Sequence, residues 1–493
     1  MAYGLAAGTL GLGVAQVVAG VVAPASAPLV ALGAVVVDSV PPAVKDAAIA
    51  TFGTHDKQVL LGGAVLIAAL LSALAGWLTG RGHSIGLWLV VALGALAALA
   101  AATRRSADML AVLPSVAGTI VGTVALARLA SARRQENGDT TRRTVLEAGV
   151  IAAGGLLAVG GGQLLGRTVR NSNASRREIQ LPTPASSAPS LPAGVEVGVD
   201  GMPSFRTANE DFYRIDTALV VPRLVAAEWS LRVHGMVERE VTLRYSDLVA
   251  GPLVERDLTL ICVSNEVGGH LTGNARWLGL PVASVLARAR PTADADMVLS
   301  KSSDGWTAST PLPVLTDARD ALLAIGMNGE PLPIEHGFPV RMVVPGLYGY
   351  VSATKWVVDL EVTRFDRATA YWTTRGWSAR GPVKTQSRID VPRAGERVTA
   401  GRVAVAGIAW AQHRGIDGVE VRVDEGPWRP ARLAAEASVD TWRQWVWEWD
   451  AAPGRHTLQV RAIDGTGAVQ TGEEAPPPPD GATGWHTIDV DVV

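Results

Sequence analysis

Five apolar runs, at about 4–23, 58–79, 85–102, 109–130 and 145–166, fill the first third of this 493-residue chain. Each is close to the roughly 20 residues that an α-helix needs to cross the hydrocarbon core of a bilayer. Ala, Gly, Leu and Val dominate them, and glycine suits helices that pack closely in a membrane. Residues 1–166 carry only 17 of the 90 charged side chains. They therefore read as an α-helical transmembrane bundle of about five helices, multi-pass in a cell membrane, and the remainder reads as globular protein. The stretch 26–52 fits neither. Its apolar half, 27–37, is too short to span, and Asp38, Pro41, Pro42, Lys45 and Asp46 follow, so it reads as interfacial.

Basic residues in short loops set orientation. Arg128, Arg133, Arg134, Arg142 and Arg143 cluster between the fourth and fifth runs, which makes that loop cytoplasmic and puts everything after 166 outside. Arg104 and Arg105 run against this, as do Arg167, Arg170, Arg176 and Arg177. The fifth run is preceded by Thr141-Arg142-Arg143-Thr144-Val145-Leu146. A twin arginine before a moderately apolar, Gly-rich stretch resembles a Tat export signal. The alternative is two ordinary positive-inside arginines. His55 and His83 are lone histidines near helix ends and give no pair of axial ligands for a haem.

A net charge of −2 leaves no nucleic-acid footprint. The single cysteine, Cys262, rules out an intrachain disulfide, a four-cysteine zinc site, a cysteine-ligated iron–sulfur cluster and a CxxCH haem attachment.

Residues 167–200 are rich in Ser, Pro, Ala and Arg and read as a flexible tether. Between 201 and 390 strand and helix patterns mix. Trp229–Val233 alternates, Leu280–Ala289 has helical spacing, and Pro339–Val344 and Trp356–Val362 read as buried strands. From 391 to 493 short strands follow one another at Val403–Ile408, Val419–Val423, Trp445–Trp449, His456–Ala462 and Thr487–Val493. Turn signals such as Asp424-Glu425-Gly426 and Asp464-Gly465 separate them, which suggests an all-β immunoglobulin-like sandwich without its cysteine pair. The cluster Trp442, Trp445, Trp447 and Trp449 reads as core and edge packing rather than a ligand platform.

Cys262 stands at the end of an apolar stretch, before the polar turn Ser264-Asn265-Glu266 and Gly268-Gly269. A cysteine there is a small buried hydrophobe, a nucleophile or a soft metal ligand. A second constellation runs from Met327 through His336-Gly337-Phe338-Pro339-Val340-Arg341 and Val344-Pro345-Gly346 to Ala353-Thr354-Lys355-Trp356. His336, Arg341 and Lys355 lie near Gly-rich turns, where backbone N–H groups can approach an anion. The chain has five lysines against 39 arginines, so a lysine here is not the default basic residue. An anionic ligand and a solvated loop with ordinary ion pairs are both compatible with this segment.

Residues 204–493 carry these motifs in a combination that resembles the sulfite oxidase family of molybdopterin-dependent oxidoreductases. The resemblance implies a mixed α/β catalytic domain over 201–390 and a C-terminal domain of a kind that often dimerises. It implies a molybdopterin cofactor with molybdenum bound by one cysteine thiolate, the place that Cys262 fills. By the same likeness His336, Arg341, Ala353, Thr354 and Lys355 contact the pterin. Asp211-Phe212-Tyr213-Arg214 looks like the family's early aromatic–arginine motif, so Tyr213 and Arg214 border the cofactor, and Ser302 adds a further contact. A soft thiolate suits a metal already held by dithiolene sulfurs, and a phosphate-bearing group needs cations and free N–H donors.

The departures concern substrate. The resemblance implies arginines and a tyrosine around a sulfite oxyanion. Here Glu266 stands after the Cys-x-x-Asn turn, Trp377 stands where a tyrosine is expected, and Pro476–Pro479 with Asp480 precede the last strand. Only Arg214 has a clear match. Cys262, Arg214, Glu266 and Trp377 are thus the residues expected around the reacting atoms. A carboxylate at Glu266 disfavours an anion by roughly 1–4 kcal/mol at close range, unless it faces away to pair with an arginine such as Arg276. The expected reaction is oxygen-atom transfer on a small or protein-bound S-oxide or N-oxide. Sulfite oxidation is the first alternative, and a non-catalytic membrane-tethered binding module is the second. With no haem domain, electrons pass to or from a separate partner, a cytochrome or a quinone-linked protein.

Overall fold

The computed structural model describes the chain apart from residues 41–43, 45–50, 53–55, 105–106, 108, 136–141, 170 and 318. Pro41, Pro42, Lys45, Asp46, His55, Arg105, Thr141 and Arg170 of the sequence argument lie outside the described residues, as do the side chains of Arg133, Arg134, Arg142, Arg143, Thr144 and Arg167. The chain divides into two units. One comprises Met1–Ser172 with Thr217–Arg223, the other Asn173–Asp216 with Leu224–Val493.

The first unit is helical: α1 (Ala2–Val22), α2 (Pro28–Ser39), α3 (Asp56–Gly80), α4 (Ile85–Ala102), α5 (Leu113–Gln135) and α6 (Arg142–Val169). Five of these, all but α2, contain a stretch long and apolar enough to cross a membrane, by length and composition. The sequence stretch 27–37 forms α2, a helix of 12 residues. Helix α1 is the hub. A Cβ at Gly4 would lie 1.9 Å from the Ser72 carbonyl oxygen, one at Gly11 2.7 Å from that of Gly118, and one at Gly20 2.5 Å from that of Gly162. Backbone meets backbone there, and glycine is what permits it. Leu126 and Leu129 are buried between the helices, whereas Leu66, Leu70, Leu99, Leu156 and Leu157 are each more than 60% exposed.

The second unit begins with the segment expected to be a free tether. It is bonded to the body instead. Ala185 N–H donates to the Leu253 carbonyl (2.7 Å) and Glu255 N–H to that of Ser186 (2.8 Å), while Val197 N–H reaches the Gln444 side chain (2.9 Å). Leu181, Leu191 and Val195 pack against the core. The Pro- and Ser-rich composition gave no helical or alternating pattern, and backbone bonds to neighbouring residues hold it.

The strands of the catalytic region are β1 (Ser230–Gly235), β2 (Val241–Arg244), β3 (Val254–Ile261), β4 (Thr272–Pro281), β5 (Met297–Ser302), β6 (Thr307–Pro311), β7 (Leu322–Met327), β8 (Glu330–Pro331), β9 (Arg341–Val343) and β10 (Val357–Thr363). They form two sheets, β2-β1-β10-β5-β6 and β3-β4-β7-β8 with β9 added to β7. Strands β1 and β10 pair in parallel. The expected strand at 229–233 falls in β1, those at 339–344 and 356–362 in β9 and β10, and the helical pattern at 280–289 in a helix over Val282–Ala289. Leu231, Val233, Leu286, Leu323, Met342, Val357 and Leu360, each fully buried, share one core.

The C-terminal β-rich region starts with β11 (Gln386–Val391), which pairs with β13, so this sheet begins before the expected boundary at 390. Next come β12 (Arg397–Val398), β13 (Gly401–Trp410), β14 (Ile416–Val423), β15 (Arg429–Pro430), β16 (Arg432–Leu433), β17 (Arg443–Ala451), β18 (Gly454–Asp464) and β19 (His486–Val492). The sheets are β11-β13-β17-β16 and β12-β19-β18-β14-β15. Val405 and Trp445 of the first share a core with Val421, Leu458 and Ile488 of the second. Trp442, Trp445 and Trp449 are buried, as core tryptophans should be.

Candidate active site

Strand β3 delivers Cys262 into the interior. Thr259, three residues earlier, is tied to the β-rich region: its N–H donates to the Asp440 carbonyl (3.0 Å), and its hydroxyl accepts from Trp442 N–H (2.8 Å). Beyond Cys262 the chain reverses. Cys262 N–H donates to the Leu271 carbonyl (3.0 Å), and buried Asn265 accepts Leu271 N–H on Oδ1 (2.7 Å). Arg388 of β11 holds the same turn by donating to the Gly269 carbonyl (2.6 Å). Cys262 is 8% exposed. Burial pushes its thiol pKa up, while hydrogen bonds from Ser264 and the charge of Lys355 pull it back.

His336 ends a short 3₁₀ turn capped by Gly337 at φ +114°. A Cβ at Gly337 would lie 2.9 Å from that of Arg341, so both the conformation and the close approach require glycine. Arg341 and Lys355 are buried. Arg341 donates to the His336 carbonyl (3.1 Å), and its guanidinium lies 5.1 Å from the Trp277 ring centroid. Lys355 Nζ donates to the Glu335 carbonyl (3.0 Å) and to Asp216 Oδ2 (3.2 Å), which Arg214 Nε also reaches (3.0 Å). Burial lowers the Arg341 pKa to about 10. Burial also lowers that of Lys355 to about 8, against the pull of Asp216.

Phe212 anchors the early motif. It is buried, stacks on Tyr213 (5.2 Å between centroids), and meets Trp277 (5.8 Å) and His336 (5.6 Å) edge-on. Burial, and next the charge of Cys262, hold the Tyr213 phenol protonated, with Arg341 opposing. Cys262, Tyr213, Arg341, Lys355, His336 and Arg214 thus form one electrostatically connected set. Beside it lies a cleft of about 430 Å³ whose walls include Asn209, Phe212, Arg214, Glu335 and His336.

Other expected residues stand differently. Thr354 is buried with its hydroxyl 2.6 Å from that of Ser300. Ser302 is buried and accepts Asp304 N–H at 3.5 Å. Ala353 N–H donates to the Gly349 carbonyl (2.9 Å). Trp377 is half-buried, 5.8 Å from Tyr350 and 6.2 Å from Trp372 between ring centroids. Glu266 does not join the connected set. Its side chain is exposed and makes no ion pair among the described residues. Arg276, its alternative partner, is committed to Asp257 (2.7 Å) and Glu255 (3.6 Å). A solvent-facing carboxylate is screened, which removes most of the Coulomb penalty expected from it. Sequence reasoning missed Asp216, which bridges Arg214 and Lys355, and Asn209, whose carbonyl accepts from His336 Nε2 (3.1 Å). Neither belongs to a motif that composition or spacing could mark.

Residues 218–372 match the model of the oxidoreductase molybdopterin-binding domain. An uncharacterized oxidoreductase of Bacillus subtilis, YuiH, is 34% identical over 154 residues, 31% of this chain and 74% of that protein. This chain belongs to the sulfite oxidase family of molybdopterin oxidoreductases. Human mitochondrial sulfite oxidase is 31% identical over 307 residues, 52% of this chain and 56% of the human protein; the chain thus spans little more than half the length of that relative. The solved structure of the sulfane dehydrogenase SoxCD from Paracoccus pantotrophus is 23% identical with a TM-score of 0.52, covering 60% of this chain and 82% of that one. That likeness establishes a sulfite-oxidase-like fold for the catalytic region.

The family's cofactor is molybdenum on molybdopterin, and the residues present fit it. His336 Nε2 donates to the Asn209 carbonyl. Burial, and then Arg341 and Lys355, lower its pKa to about 4, so the ring is neutral. Its Nδ1 is therefore a buried acceptor, and among the described residues it has no partner. Such an atom calls for a donor from a ligand. The charges of three cations, Arg341, Lys355 and Arg214, act on His336, and two of them, Lys355 and Arg214, share the carboxylate of Asp216. Such a group of cations suits a phosphate-bearing group.

Proposed function

We propose that this member of the sulfite oxidase family transfers an oxygen atom to or from a small or protein-bound S-oxide or N-oxide, with Cys262 as the protein thiolate on molybdenum. Tyr213, Arg214, His336, Arg341 and Lys355 hold the pterin and its phosphate, helped by Ser302, Ala353 and Thr354. When bound, the cofactor supplies the two-electron redox chemistry, and the protein supplies orientation, charge and exclusion of water. One observation carries the substrate reading. The buried cations belong to the His336 cluster, whereas Trp377, expected near the reacting atoms, is aromatic, and Asp480, before the last strand, is neutralised by Lys384 (2.8 Å). A substrate with no net charge suits that balance, and an aromatic wall favours an apolar substituent on it.

Sulfite oxidation is the second reading, favoured by the likeness to the human enzyme. Two assays on the loaded protein separate them: reduction of a small sulfoxide with reduced viologen as donor, and oxidation of sulfite with ferricyanide as acceptor. Efficient sulfite oxidation with no response to oxides overturns the first reading.

The apolar helices support a multi-pass anchor in the cell membrane with the catalytic domain outside the cytoplasm. The two-sheet C-terminal region supports an immunoglobulin-like sandwich available for homodimerisation. Electrons exchange with a separate cytochrome or quinone-linked protein. Arg142 and Arg143 serve as a Tat signal for export of the loaded domain. Changing both to lysine keeps the charge and should leave residues after 170 protected from external protease; unchanged accessibility reduces the pair to topology.

A further inference from the structure

Arg176 follows the fifth apolar run and is one of the basic residues that run against the orientation set by the loop arginines. The structure gives it a different occupation. It lies in the short helix Ser172–Glu178, the first element after α6, and this helix is fastened to the catalytic region. Ser175 Oγ accepts Ala226 N–H (3.0 Å). Arg176 Nε donates to the carbonyls of Pro331 and Leu332 (both 3.0 Å), and its Nη2 to Glu330 Oε2 (2.9 Å). Those acceptors belong to β8 and to the stretch that leads from it into His336.

Arg176 and Asn173 line the cleft of about 430 Å³ together with Arg214 and His336. One part of that wall is therefore built by residues that precede both the stretch 204–493 and the matched domain, 218–372. The cleft also meets three carboxylates, Glu210, Glu330 and Glu335. All three are exposed, so water and salt screen them. Arg176 is held deeper than its counter-ion: its side chain is 27% exposed, against 63% for that of Glu330. A pair of this kind binds its partners weakly.

The guanidinium thus has a fixed side and an open one. Nε and Nη2 are bonded to the protein, whereas Nη1 donates to nothing among the described residues. A planar cation held along one edge and open along another is preset for an oxyanion. The nearest call for one is in the same cleft, where the charge of Arg214 and the unpartnered Nδ1 of His336 stand.

We propose that Arg176 is a further cofactor-binding residue, which takes the phosphate-bearing end of molybdopterin together with Arg214, so that the helix after α6 closes the cofactor cleft. The role rests on the cofactor assigned to this cleft and is independent of the substrate. The contact is a charge-assisted hydrogen bond, and no proton is transferred. Because the same side chain ties the helix to β8, bound cofactor and the fastened helix reinforce one another.

The test compares the loaded full chain with Arg176→Gln, Arg176→Lys and Glu330→Gln, and reads pterin per chain during dialysis by the fluorescence of the oxidised pterin. Arg176→Gln should speed the loss of pterin about tenfold, and Arg176→Lys, which keeps the charge without the planar fork, by less. Glu330→Gln removes the ion pair but leaves the guanidinium its carbonyl acceptors, so retention should stay at the wild-type level or rise. Equal loss in Arg176→Gln and Glu330→Gln would mean that Arg176 only fastens the helix, and overturns the proposal. Wild-type retention in Arg176→Gln overturns it as well. A second measurement needs no cofactor. Calorimetric titration of the cofactor-free full chain with inorganic phosphate should show an affinity about tenfold lower in Arg176→Gln and unchanged in Arg177→Gln, whose side chain is exposed. Equal affinities in those two variants count against Arg176. A wild-type chain that carries no pterin fails the cofactor assignment on its own, and the phosphate titration then still decides whether Arg176 holds an anion.

Discussion

Two groups of residues in the second unit are built on opposite electrical plans. The cluster of His336, Arg341, Lys355 and Arg214 gathers three cations, two of them on the Asp216 carboxylate, and leaves an acceptor, His336 Nδ1, without a partner among the described residues. The group of Tyr348, Trp377, Lys384 and Asp480 pairs its charges and, among the described residues, leaves the Tyr348 hydroxyl donating to nothing. On the function proposed above, the difference follows from what each would hold. A resident group of fixed negative charge repays buried cations. A substrate that must come and go is better met by neutral donors and an aromatic wall, which orient it without trapping it.

The contrast breaks most sharply at Cys262. Cys262→Ser should cost at least about a thousandfold in kcat and remove one sulfur from the molybdenum X-ray absorption shell. Retained activity would separate the two groups from any common metal. His336 comes next, through pH. Its pKa falls from 6.5 to about 4 on folding, so the unfolded chain binds the proton more readily between those values. The stability it gives is present above pH 6.5 and is lost as pH falls toward 4. Denaturant titrations of the cofactor-free protein should show up to ~3 kcal/mol of this loss, absent in His336→Gln. An unchanged slope in the variant would mean that the ring is not the buried neutral acceptor described here.

A smaller effect is expected at Lys355. Lys355→Gln should weaken cofactor retention by about tenfold, read as pterin per chain after dialysis, with Lys355→Arg retaining more. Equal pterin in both variants would remove the anion-holding role from the cationic cluster. The smallest effect is at Glu266. Because its side chain faces solvent, Glu266→Arg should change sulfite kcat/KM by less than about threefold at physiological salt. A rise of tenfold or more would bring Glu266 into the second group and restore the charge argument drawn from its position in the chain.

Much of the cofactor cluster was legible because its residues sit close together in the chain. His336, Arg341 and Lys355 fall within one short stretch, and Gly337 marks the turn that joins them. Cys262 was legible because it has no rival. The helices were legible because an apolar run of about 20 residues has few other uses. The second group was not legible. Tyr348 looks like any aromatic in a Gly-rich turn, and Lys384 and Asp480 are 96 residues apart. Asp216, Asn209 and Thr259 act through single hydrogen bonds to distant backbone or side chains, and no periodicity records those. The Pro- and Ser-rich stretch before residue 200 was misread for a related reason. Composition reports a missing local pattern, but the Ala185–Leu253 and Ser186–Glu255 bonds that order it are long-range.

Local chemistry was therefore settled by the sequence alone: which segments are apolar enough to span, which strands alternate, which cysteine and which cations are available. Tertiary structure decided which of those groups face one another. It turned Glu266 outward and Tyr348 inward, and it gave the Tyr350 proton to the Ser378 carbonyl while leaving that of Tyr348 without an acceptor among the described residues. The physical reason is that burial and hydrogen-bond satisfaction belong to the packed surroundings of an atom, and residues hundreds of positions apart supply those surroundings.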